Sequence, residues 1–316
     1  MGKIDVAIYD YISDKTRIAD LFNGVYFDGK QTIRPEDITD YEEKYPTKKK
    51  ASGGTLRRIG KMRYRDIVKK WKKGGNLRVL AIENQNSVDY TMPFRCMEYD
   101  TLEYRRQIDD KKKENYSKAN WNNRAEFLCG VHREDRFSPV YTICLYHGKE
   151  IWDGPRTLKD MMDFGSDEDQ MSRFFTDYPM KLFCVNEENN FECFQTELRE
   201  FFQILSCRED TGKLEKLSKM ERYQNISRET AEMIAIVLGW SETEKNNMEY
   251  EEEGKGVNMC KALEGLIQKG KDEGKAENTR VMIVKMHKAG ISLEKICEIA
   301  EKTPEEVKEI LNHPVE

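Results

Sequence analysis

Residues Val140–Tyr146 read VYTICLY, a run without a single charge that stops at His147-Gly148. A strand with one face in water alternates polar and apolar residues, so an unbroken run of this kind suits a strand covered on both faces. Covering both faces takes helices above and below a sheet, and this places the chain in the α/β class. The flanking segments supply the partners. Ile18, Leu21, Phe22, Val25 and Tyr26 recur at helical spacing, which predicts a helix over 16–27 with Ser13 or Asp14 as cap. Met62–Val68 and Leu77–Gln85 are strand candidates, and Lys72-Lys73-Gly74-Gly75-Asn76 between them has hairpin turn chemistry. Tyr90–Gln107 predicts a helix, with Pro93 in its first turn and Met92, Cys96, Tyr99 and Leu102 on one face.

Composition narrows the class further. Charged residues make up 35% of the 316, against a usual share of about a quarter. No stretch approaches the ~20 apolar residues of a membrane span, and MGKIDVAIYD at the start holds no apolar signal core. The eight cysteines form no CxxC, and with four histidines they offer no structural zinc cluster. They suit reduced, buried thiols and a cytoplasmic location.

The charge is distributed unevenly. The formal net charge is only -5, yet between Lys48 and Arg78 thirteen Lys or Arg accompany one acid, Asp66. Acids gather instead between Glu242 and Glu253. This asymmetry predicts a basic working surface and an acidic linker.

The hairpin carries the chemistry. Asp66 falls in its first strand, and Glu83 and Gln85 fall in its second. Alternation puts Glu83 and Gln85 on the same face, and the hairpin brings Asp66 beside them. Two converging carboxylates repel unless a proton or a divalent cation lies between them. An all-oxygen donor set suits Mg²⁺, with Mn²⁺ as a substitute. Cations to hold a phosphate backbone and carboxylates to hold a metal are what phosphodiester cleavage requires. The same residues are compatible with a plainer reading. Asp66 then pairs with Arg65 or Lys69 on a solvated strand, and Glu83 is a charge that protects a sheet edge.

The stretch IENQNSVDYTMPFRCMEYD resembles the E-x-Q, M-P-x-R and Tyr blocks of the Rpn family, the recombination-promoting nucleases and YhgA-like transposases. Tyr64-Arg65-Asp66-Ile67 is similar to the strand bearing that family's aspartate, and SDKTRIADLFN to its opening helix. The resemblance covers about residues 10–150, and the Gly-interrupted tail is similar too. It implies a PD-(D/E)XK nuclease fold with an αβββαβ core, followed here by an α-helical C-terminal region, and Mg²⁺-dependent DNA cleavage linked to recombination or mobile elements. By motif, Asp66 and Glu83 are the metal ligands. Gln85 stands where the wider superfamily has Lys, which removes a cation that helps orient water. A third acid from the opening helix is either Asp14 or Asp20, and Asp14 serves equally well as a helix cap.

The expected DNA contacts are Arg57, Arg58, Lys61, Arg63, Lys69, Lys70, Lys72 and Lys73, with Arg95 on the following helix. Arg95 equally suits pairing with an acid. Trp71 is placed either to stack on a nucleotide or to close the core edge. Four segments are expected: a nuclease-like core over 1–165, an extension over 166–240, an acidic, Gly-interrupted linker or weak helix over 241–275, and a small helix-turn-helix-like module over 276–316. In that last module Thr303-Pro304-Glu305-Glu306 is a capping box. Residues 291–316 hold seven acids against three lysines, so the module suits homodimer contacts better than phosphate. The function expected from the sequence is a metal-dependent DNA endonuclease. The alternative is a weak or inactive nuclease-fold protein that binds nucleic acid or a protein partner, for example in phage defence.

Overall fold

In a computed structural model the described residues are 3–41, 66–74, 76–165, 171–188, 190–241 and 256–312. The chain divides into two compact units, Met1–Ser206 with Glu232–Gly239, and Cys207–Ala231 with Trp240–Glu316.

The first unit is mixed α/β. Helices α1 (Lys3–Ile12) and α2 (Lys15–Phe27) precede strands β1 (Ile38–Asp40), β2 (Ile67–Lys73) and β3 (Asn76–Gln85). Then come α3 (Met92–Lys118), α4 (Arg124–Cys129), β4 (Val140–Tyr146), β5 (Leu182–Cys184) and α5 (Leu198–Cys207). The five strands lie in chain order across one sheet. β1, β2 and β3 run antiparallel, whereas β3, β4 and β5 are parallel. Parallel neighbours need a crossover connection, and α3 supplies the one from β3 to β4.

β4 is the covered strand that its composition predicts: Ile143, Cys144, Leu145 and Tyr146 are all buried. Cys96 and Met92 of α3 pack on Cys144 and Tyr146, together with Trp152, Met180 and Cys184. Near α5, the rings of Phe183 and Phe194 lie 5.3 Å from Phe202. The cysteines of the described residues are all free thiols.

Two helices differ from expectation. α1 was not anticipated, because the helical pattern appeared to begin at residue 16. It buries Ile8, Tyr11 and Ile12, one short apolar stripe. α3 continues past Gln107 to Lys118, where apolar periodicity fades. Its last turns carry spaced ion pairs instead, Arg106–Asp110, Lys111–Glu114 and Lys118–Glu114. Each such exposed pair adds only a little to helix stability, and it is screened by salt.

The second unit is helical. It contains α6 (Thr211–Leu217), part of α7 (Arg228–Val237), α8 (Met259–Lys288), α9 (Leu293–Ala300) and α10 (Pro304–Asn312). The weak helix expected up to 275 is instead the first half of α8, a continuous 30-residue helix. Leu263 and Ile267 are buried along it, and that burial outweighs a Gly penalty of about 1 kcal/mol per residue. The three predicted terminal helices are present as the end of α8, α9 and α10. They close a small core of Ile283, Ile296 and Val307. Among the described residues, no helix is long and apolar enough to cross a membrane.

Candidate metal-binding carboxylate site

β2 and β3 pair from Ile67↔Ile82 to Lys73↔Asn76, with Gly74 at φ 58° turning the chain between them. Asp66 directly precedes the paired Ile67, and Glu83 directly follows its partner Ile82. The backbone N–H of Asn84 donates to Asp66 Oδ2 at 2.8 Å, which fixes the carboxylate against the second strand. Asp66 and Glu83 thus lie at the same end of the hairpin, on its two arms.

Glu83 is 1% exposed. Arg95, at the start of α3, reaches it with Nη2 at 3.6 Å from Oε2, and donates from Nη1 to Asp89 Oδ2 at 2.5 Å. Burial opposes the charge on Arg95, but Asp89, Tyr99 and Glu83 more than offset this, and its pKa lies above the ordinary value. Asp66 moves the same way for a different reason. Burial lifts its carboxyl above 3.8 and nearby Asp5 adds to the lift, against the opposing effects of the Asn84 N–H and Arg95. Behind Glu83, its β4 partner Cys144 is a deeply buried thiol pushed well above its ordinary pKa.

Asp5 of α1, which the sequence did not single out, lies near enough to Asp66 to raise its pKa. Its backbone carbonyl accepts from Asn84 Nδ2 at 3.2 Å, so α1 is tied to the same strand that holds Glu83. The signal that identifies it is the stripe Ile8, Tyr11 and Ile12, which makes residues 3–12 a helix. The two acids first considered have other roles. Asp14 caps α2, accepting from the Thr16 and Arg17 N–H groups at 2.9 and 3.2 Å. Asp20 is buried and accepts from the Gln195 and Thr196 N–H groups and the Thr196 hydroxyl, which tethers the segment before α5. Neither contact involves the hairpin carboxylates.

Gln85 is half-buried at the end of β3, two residues from Glu83 on the same side of the strand. Its backbone carbonyl accepts from the His147 N–H at 2.9 Å. The basic residues are less uniform than their spacing suggested. Lys69 pairs with Asp40 at 2.7 Å, Lys70 lies 4.8 Å from the centre of the Tyr41 ring, and Lys73 donates to the Thr32 carbonyl at 3.3 Å. Lys72 is exposed. Trp71 is 4% exposed with Arg78 over its ring at 4.5 Å, so it closes the core edge and has no open face for a base. Arg57, Arg58, Lys61 and Arg63 lie outside the described residues.

No family model, curated protein or solved structure matches this chain. The chemistry of the site therefore rests on its own donors. They are hard oxygens, which suit Mg²⁺ or Mn²⁺ and not a soft metal. Among the described residues no three of His, Cys, Asp and Glu form a complete cage. Mg²⁺ is commonly held by one or two carboxylates, with water and phosphate oxygens completing its shell. Asp66, held above its ordinary pKa by burial, is a group whose ionisation a bound cation would favour. The residues fit a hard divalent ion.

Proposed function

We propose that this chain is a metal-dependent DNA endonuclease of the PD-(D/E)XK type, similar to the Rpn nucleases. The observation that carries the reading is the hydrogen bond from the Asn84 N–H to Asp66, which fixes one acid against the strand that carries the buried Glu83. The order α2, β1, β2, β3, α3, β4 also agrees with the αβββαβ core that the family resemblance implies. Asp66 and Glu83 are the residues that would hold Mg²⁺. A bound Mg²⁺ would supply Lewis-acid polarisation of a phosphoryl oxygen and a water of lowered pKa. Arg95 orients Glu83. Gln85 positions the water or the strand, and the basic stretch 48–78 grips the backbone. A homodimer through the C-terminal helices would present two sites to two strands.

Plasmid incubated with purified protein in Mg²⁺, Mn²⁺ or EDTA tests the reading, with Glu83→Ala as control. Nicking in either metal that stops in EDTA and in the variant is the expected result. Cleavage that survives in the variant, or no cleavage in any metal, would overturn it.

A second reading is favoured by Arg95. Its guanidinium already offsets the Glu83 charge without a cation. On this reading the fold binds DNA and cuts nothing. DNA binding that is unchanged by EDTA, with no nicking, would select it.

A further inference from the structure

The end of α3 together with α4 presents large apolar side chains to solvent. Tyr116, Phe127 and Leu128 are 47%, 51% and 67% exposed. The rings are held in place all the same. Trp121 meets Tyr116 edge-on at 5.0 Å and Phe127 at 5.9 Å, and lies 5.1 Å from the His132 ring. The Tyr116 hydroxyl donates to the Phe127 carbonyl at 2.8 Å.

Beneath them, buried Glu126 accepts from the N–H groups of Asn122 and Arg133, both at 3.2 Å, and sits 2.8 Å from His132 Nδ1. Gly130, at φ 75°, lets the chain close against α3: a Cβ there would stand 2.9 Å from both the Lys112 and Tyr116 side chains. This is a built surface, ordered from below and open above.

Its rim is cationic. From Lys111 to Arg136 there are seven Lys or Arg and four acids. Of the acids, Glu114 is engaged by Lys111 and Lys118, Glu126 is buried, Asp135 accepts from Asn115 and the His132 N–H, and Glu134 is exposed. Arg124 and Arg133 are exposed, Lys112 is half-buried, and none of the three has an acidic partner among the described residues. Arg124 is three residues before Phe127 on α4, so the two share a face.

We infer that this surface binds single-stranded nucleic acid, with unpaired bases stacking on Phe127 and Tyr116 beside Trp121 and phosphates meeting Lys112, Arg124 and Arg133. Half-exposed aromatic rings, rimmed by more cations than acids, complement a polymer that alternates planar bases with phosphates. A duplex hides its base faces, so the rings favour unpaired strands. Tyr116 lies roughly 30 Å along α3 from Arg95, at 1.5 Å per residue. The surface is therefore separate from the carboxylates, and the inference does not require cleavage.

Fluorescence anisotropy of a labelled oligothymidylate of about twelve nucleotides tests this. The full chain is used in EDTA, beside an abasic oligomer of equal charge and a duplex of equal length. Oligothymidylate should bind more tightly than the abasic oligomer. Phe127→Ala should weaken it about 5- to 100-fold, to the abasic level. Phe127→Tyr should retain binding, and Arg124→Glu with Arg133→Glu should weaken both oligomers. Any of three results would overturn the proposal: equal affinity for the thymidylate and abasic oligomers, Phe127→Ala binding at the original affinity, or displacement of the oligonucleotide by a polyglutamate peptide as effective as oligothymidylate itself. The last would indicate a surface for acidic proteins.

Discussion

Asp66 is costly to the fold in its ionised form. Burial, reinforced by Asp5, raises its carboxyl above 3.8 against the pull of the Asn84 N–H and Arg95. An acid raised in the folded state contributes stability that is complete below the unfolded value and is lost as pH rises through the folded one. At neutral pH the anion therefore destabilises the chain. Asp66→Asn keeps an oxygen for the Asn84 N–H and removes the charge. Its Tm should equal or exceed that of the unaltered chain at pH 7, and the difference should vanish below about pH 4, where the aspartic acid is protonated in both states. Millimolar Mg²⁺ should raise the Tm of the unaltered chain and leave that of Asp66→Asn unmoved. A lower Tm for the variant at pH 7 would contradict this account. Asn23 illustrates the opposite balance. It is fully buried, its Oδ1 accepts from the Thr32 and Ile33 N–H groups at 3.1 and 2.9 Å, and its Nδ2 donates to the Ile33 carbonyl at 2.8 Å. Asn23→Ala strands these backbone groups and should cost about 2–4 kcal/mol in urea denaturation. A loss below about 0.5 kcal/mol would mean that water replaces the side chain.

At the scale of elements, α8 shows how composition misleads. Gly265, Gly270 and Gly274 suggested a weak helix, yet all three lie inside one 30-residue helix. A Cβ added at any of them meets nothing within 4 Å, so neither packing nor backbone conformation requires glycine there. Changing all three to Ala should stabilise the second unit by about 1.5–3 kcal/mol, measurable as a raised Tm. No gain would mean that the three glycines are already compensated by structure in the unfolded chain. Elsewhere the local code was legible where it was strong. The unbroken VYTICLY run became β4 with the expected bounds, and β3 lies where expected, but its partner strand β2 runs from Ile67 to Lys73 instead of ending at Val68, and takes in two lysines expected in the turn. Less was visible where the signal was short or tertiary. β1 has only three residues, and its pairing Ile38↔Trp71 depends on a strand distant in sequence. The end of α3 is stabilised by ion pairs that an apolar pattern does not register. For the candidate site, the placement of Glu83 on β3, with Asp66 just before the partner strand, followed from the hairpin alone. Asp5 did not, because its position depends on α1 docking through Asn84, a contact that spans 79 residues.

At the scale of the whole molecule, the net charge of -5 would repel DNA if charge acted as a sum. It does not, because at about 0.1 M salt a field decays over about 10 Å, and only cations at the contact count. Nor does each lysine of the basic stretch count equally. The charge of Lys69 is committed to Asp40, whose own carboxyl it holds below the ordinary range through their hydrogen bond. Lys72 is exposed on the same strand. If the hairpin grips duplex DNA, each phosphate contact contributes a salt slope of about 0.9 in log affinity against log salt concentration. Lys72→Ala should reduce that slope by about one contact, measured between about 50 and 200 mM salt. Lys69→Ala should leave the slope nearly unchanged, since it removes a cation whose charge is already spent within the fold. Equal slope changes in the two variants would mean that the intramolecular pair opens on binding. No change in either would move the DNA contact away from β2 altogether.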